Sequence, residues 1–79
     1  MNDYTITHGS IAAVQYVDKP DGTRVTVVGM TSELQPEFEA LPLAVRAAVN
    51  RQFGDVFSLP YNKREDFCKN SVPFVISVV

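Results

Sequence analysis

The segment Asp18-Lys19-Pro20-Asp21-Gly22 constrains this chain more than any other. Proline presets the backbone φ of a turn, and glycine accepts a positive φ at no steric cost. Five-residue loops are common in β-hairpins. The flanking residues agree with a chain reversal. Ile11–Val17 leads into the turn, and Thr23–Met30 leaves it carrying β-branched Thr23, Val25, Thr26, Val27 and Val28. In the returning strand, Val25 and Val27 are expected to face a core and Arg24 and Thr26 to face solvent. An earlier strand is expected over Tyr4–His8, where Tyr4, Ile6 and His8 alternate with Thr5 and Thr7 before Gly9-Ser10 breaks or bends the run.

Helical periodicity follows the hairpin. Thr31-Ser32 with Gln35 resembles a capping box, but Pro36 interrupts, so a turn or short helix is expected from Pro36 to Leu41. Pro42 suits the first turn of a longer helix, where its missing N–H costs nothing. That helix is expected over about residues 42–53. Ala44, Ala47 and Ala48 favour it, and Leu41, Val45, Val49 (with Ala48) and Phe53 form its buried stripe. Arg46, Asn50 and Arg51 take the polar side, and Gly54 is expected to end the helix in the left-handed conformation. Asp55–Leu59 reads as a short strand stopped by Pro60. Asn62 reads as the cap of a single turn through Cys68, anchored by Phe67 and Cys68. The last strand is expected over 72–79, with Val72, Phe74, Ile76 and Val78 on one face and Pro73, Val75, Ser77 and Val79 on the other.

These elements imply an α+β fold: a mostly antiparallel sheet of three to five strands with one main helix packed on one face. Its 79 residues make a single domain spanning 1–79. A chain this short buries only about 60% of its unfolded surface. Hydrophobic residues at 46% suffice for one core and leave nothing for a second.

Composition narrows the function classes. The net charge of −2 argues against general phosphate-backbone binding. The lone cysteine, Cys68, rules out an intramolecular disulfide, so a reducing cytoplasm is the expected compartment. The N-terminal residues lack the basic and apolar regions of a signal peptide. No run approaches the ~18 apolar residues of a membrane span.

Familiar chemistry finds few residues. His8 is the only histidine and hence the only base that titrates near neutrality without a large shift. A pairing of His8 with Cys68 has no surrounding motif, and free cysteines usually behave as small buried hydrophobes. One His and one Cys cannot close a zinc site. Asp18 and Asp21 lack the spacing of a calcium loop, and turn chemistry accounts for both. Glu33, Glu37 and Glu39 suit a helix start. The isolated glycines form no phosphate-cradling loop. No catalytic residue, metal or cofactor is expected.

Binding surfaces remain. Ile11–Val17 is apolar on both faces, so Ala12, Val14 and Tyr16, with Val75 and Val79, are expected to form an association patch on the uncovered sheet face. Val78 and Val79 extend an apolar last strand, which must lie inside the sheet, the first expectation, or offer an edge to a partner. A basic group of Arg46, Arg51, Lys63 and Arg64, with Tyr61, is the alternative surface, suited to nucleic acid. Glu65 and Asp66 cancel much of the field of Lys63 and Arg64. The leading expectation is therefore a non-enzymatic protein-binding module: an inhibitor, adaptor or assembly factor of the kind mobile elements carry, directed at another protein or forming a homodimer. A nucleic-acid-associated regulator and a homo-oligomeric structural subunit are the alternatives.

Overall fold

A computed structural model of the chain describes residues 2–9, 13–29 and 34–78. Strands β1 (Asp3–His8), β2 (Val14–Asp18) and β3 (Arg24–Val28) come first. Helices α1 (Pro36–Glu39), α2 (Leu43–Phe57) and α3 (Tyr61–Lys69) follow, and strand β4 (Phe74–Ser77) comes last. The sheet is antiparallel throughout, in the order β3-β2-β1-β4.

The expected hairpin forms as β2–β3. Asp21 closes its turn by accepting from the Thr23 N–H at 2.9 Å and the Thr23 hydroxyl at 2.6 Å. These bonds hold its carboxyl below the usual range. Gly22 takes φ +93, which only glycine adopts freely.

One sheet face is covered. Ile6, Val17, Val25 and Val27 point into it and meet Phe38, Leu41, Val45, Ala48, Val49 and Phe53, all buried. Tyr4, Phe57, Ile76 and Val78 pack around the margin. The expected inward placement of Val25 and Val27 and the buried stripe of the long helix are both present.

The helix does not stop at Gly54, however. It runs to Phe57, and Gly54 keeps a helical conformation. Continuing the helix buries Val56 and stacks Phe57 on Phe53, with ring centroids 6.2 Å apart. Full burial of one such side chain is worth about 1.5–3 kcal/mol, against about 1 kcal/mol for glycine in a helix interior. Packing wins, and Asp55–Leu59 is helix and turn rather than a strand.

The single turn expected after Asn62 is the nine-residue α3. Pro60 precedes its first residue, so Asn62 lies within the helix and does not cap it. Glu65 and Lys69, one turn apart, pair at 3.2 Å. Cys68 is buried, but Phe67, expected to anchor the turn beside it, is exposed.

Three strands are shorter than expected. The returning strand of the hairpin spans Arg24–Val28 instead of Thr23–Met30, of which Met30 lies outside the described residues. The second strand is described from Val14 to Asp18, while Ile11, Ala12 and the Thr31-Ser32 cap lie outside the described residues. The last spans Phe74–Ser77 instead of 72–79, and it is an edge rather than an interior strand. Among the described residues, no helix is long and apolar enough to cross a membrane.

An added Cβ at Gly54 meets nothing within 4 Å. Gly54→Ala should therefore stabilise the domain by about 0.5–1 kcal/mol, raising the melting temperature by several degrees in a thermal scan. Destabilisation would mean that the helix ends at Gly54 after all.

Candidate functional site

The sheet face away from α2 carries Val14 and Tyr16 of β2 and Val75 of β4, as the alternation predicted. The register divides them. Tyr16 lies opposite Thr7, and Val75 opposite Thr5, so the β1 threonines separate the two. Val14 pairs instead with Val28 on β3. Arg24 places its guanidinium 5.0 Å from the Tyr16 ring centroid and binds Asp18 at 2.7 Å. This face is polar across most of its width. Val78 is on the opposite face, packed against the core, and Ala12 and Val79 lie outside the described residues.

The basic residues are not gathered on one surface. Arg46 lines a recess between α1 and α2 with Phe38, Glu39 and Leu43, and its buried Nε has no hydrogen-bond partner. Arg51 lines a different recess. Arg64 donates to the carbonyls of Leu59 and Phe57, both at 3.1 Å, and lies over the Phe57 and Tyr61 rings. A helix end leaves its last carbonyls unpaired, and Arg64 satisfies that of Phe57, the last residue of α2, from the next helix. Lys63 and Tyr61 are exposed.

A groove runs beside β4. One recess of about 400 Å³ is lined by Ala44, Ala47, Ala48 and Arg51 of α2 and by Phe74 and Ile76 of β4. A second, of about 420 Å³, lies between α2, α3 and the start of β4 and is lined by His8, Arg51, Gln52, Asp55, Phe67, Asn70, Ser71, Val72 and Phe74. Arg51 and Phe74 belong to both, so the recesses join. Phe67, Val72 and Phe74 give this region a concentration of exposed large apolar side chains. The sequence signal for it is the unbroken apolar run of the last strand, whereas the contribution of α3 rests on a helix longer than the single turn expected after Asn62.

The backbone of β4 is open on the same side. Val78 donates to the Asn2 carbonyl at 2.9 Å. Antiparallel pairs alternate between hydrogen-bonded and non-bonded, so Phe74, Ile76 and Val78 turn their N–H and C=O groups toward β1. Val75 and Ser77 direct theirs outward. Pro73 stands at the next outward position, where a missing N–H leaves the inner ladder intact.

His8 sits at one end of the groove, its ring edge-on to Phe67 with centroids 5.6 Å apart. Partial burial lowers its pKa. Gly9 donates to the Val14 carbonyl at 2.9 Å, which makes His8 and Gln15 a non-hydrogen-bonded cross-strand pair with closely spaced side chains. Gln15 is fully buried, and neither its amide atoms nor His8 Nδ1 have a hydrogen-bond partner among the described residues. The Cys68 thiol is buried and its pKa raised by that burial, so it stays protonated at neutral pH. No hydrogen bond joins Cys68 to His8. Among the described residues, no three His, Cys, Asp or Glu side chains converge as metal ligands would.

Compared with models of protein families, with curated proteins and with solved structures, the chain matches none.

Two outcomes test this polar corner. A buried amide without partners costs about 1–3 kcal/mol. Gln15→Met, similar in size, should recover about 1–2 kcal/mol of that in urea unfolding; a loss of stability would mean that the amide is hydrogen-bonded. For His8, the folded pKa lies below the unfolded value, so the unfolded chain binds the proton first as pH falls. The neutral ring's contribution is fully present above about pH 6.5 and declines as pH falls from there toward the lowered folded value. His8→Leu should flatten stability against pH in that window, and an unchanged slope would exclude His8 as its source.

Proposed function

We propose that this domain is a non-enzymatic protein-binding module that takes an extended segment of a partner onto the free edge of β4. The observation that carries this reading is the edge itself. Folded proteins usually protect edge strands with charge, proline, bulges or a covering element. The opposite edge, β3, has Arg24 tied to Asp18. Strand β4 has no charged residue, and only Pro73, at its entrance, interrupts the outward row. Val75 and Ser77 present unpaired backbone groups, and the groove against α2 lies where side chains of an added strand would fall. Strand addition draws affinity from main-chain bonds and specificity from pockets for alternate side chains.

The isolation of the His8 imidazole from Cys68, whose thiol stays protonated, supports a binding role over a catalytic one. The use of Arg64 as a helix cap removes one member of the basic group that a nucleic-acid reading requires.

Val75→Pro tests the reading. It removes an outward N–H and leaves the ladder to β1 intact. A photo-activatable residue at Ser77 should cross-link protein in cells, and the cross-link should persist at high salt, where phosphate binding weakens steeply. Val75→Pro should abolish it with an unchanged circular dichroism spectrum. Cross-linking from Tyr61 that is equal in yield, or insensitivity to Val75→Pro, would overturn the reading.

A further inference from the structure

We propose that the occupant of the β4 edge is a second copy of this chain, paired antiparallel about a two-fold axis through Ile76. The inference rests on the reading of β4 as the binding edge and goes further by naming what binds.

A symmetric antiparallel pair must be self-complementary. The outward groups of β4 meet that condition in one register. With the axis at Ile76, Val75 lies opposite Ser77 of the second copy, and each exchanges its N–H and C=O with the other. The axis repeats the exchange, so every outward group between Phe74 and Ser77 is paired. Moving the axis to Val75 places Pro73 opposite Ser77, where the imide nitrogen has no hydrogen to give the Ser77 carbonyl. Proline at position 73 thus selects the register centred on Ile76 over that neighbour.

Side chains match in the same register. Ile76 meets Ile76 of the second copy, and Phe74 meets Val78, all on the face covered by α2. These are the closely spaced, non-hydrogen-bonded positions of the new pair, where apolar contacts contribute most. Phe74 is 42% and Val75 57% exposed in the single chain, and the pair covers both. Beside Ile76 the helix presents Ala44, Ala47 and Ala48, whose small side chains leave space for the α2 of the second copy. Charge does not oppose the arrangement. Strand β4 has none, and Arg51 lies toward the Phe74 end of the groove, so the axis carries the two guanidiniums to opposite ends.

Sedimentation equilibrium on the intact chain tests this. The mass should rise from the 8.8 kDa of one chain toward twice that with concentration. Val75→Pro deletes an N–H on each side of the axis, and two lost hydrogen bonds at about 1 kcal/mol each should raise the dissociation constant about thirtyfold. Register is read separately. Ile76→Cys should form an intermolecular disulfide on mild oxidation, because its partner lies directly across the axis at bridging distance. Val75→Cys should not, because its counterpart is offset along the strand. This second readout decides the matter if Val75→Pro fails to fold. A chain that stays monomeric to about 1 mM, where even −4 kcal/mol of association would show, overturns the inference. So does a dimer indifferent to Val75→Pro, or one that Val75→Cys traps more readily than Ile76→Cys. A monomer that still gives the Val75-dependent cross-link to a different protein would sink the self-pairing and leave the strand-addition reading standing.

Discussion

The contact on which everything else depends is the packing of α2 across one face of the sheet. Val45, Val49, Phe53 and Val56 recur at three- and four-residue intervals, so they form a single stripe. They meet Ile6, Val17, Val25 and Val27, which the pleat of the sheet turns to the same side. Nothing else crosslinks the fold, because the lone cysteine is a buried free thiol. A domain of this length has a few kcal/mol of net stability, at roughly 0.05–0.15 kcal/mol per residue. Truncating Phe53 to alanine alone would cost about 3–5 kcal/mol, a large part of the whole. This is why the helix runs on through Gly54: the chain cannot leave Val56 and Phe57 outside its one core.

That dependence explains which parts of the fold were legible in the sequence. Elements whose cause is local could be read directly. The β2–β3 turn follows from Pro20, Asp21 and Gly22, and the helical stripe from its spacing. The errors occurred where a distant contact overrode a local signal. Gly54 looked like a helix end because glycine commonly occupies that position, but burial two residues further on outweighs its propensity. Asn62 looked like a cap because asparagine favours one, but Pro60 had already set the start of α3. Arg64 looked like part of a basic surface, whereas it closes the end of α2. That role needs α3 folded back against α2, and no spacing rule encodes it. The residues expected to form a binding patch follow the same division. The shared face of Val14, Tyr16 and Val75 came from alternation alone. Their separation by Thr5 and Thr7 required the strand order, which depends on pairings across nearly the whole chain.

The strand order also decides where apolar surface becomes a problem. With one helical layer, one face of the sheet must meet water. This face does so with Thr5, Thr7 and Thr26, with the Arg24–Asp18 ion pair, and with Ser77 bound to Asp3 at 2.7 Å. Its valines and Tyr16 are interspersed among groups that hydrate well. The β4 edge has no comparable provision. Its side chains are Phe, Val, Ile and Ser, its outward backbone groups meet no partner among the described residues, and one recess beside it is lined by alanines. A chain can carry a polar sheet face in water indefinitely, whereas an apolar edge strand gains from a partner strand through both its backbone and its side chains. The uncovered face, where one of the two expected surfaces lies, sets its apolar side chains among polar ones. The last strand, the other feature singled out in the sequence, is the one whose physical requirements one domain leaves unmet.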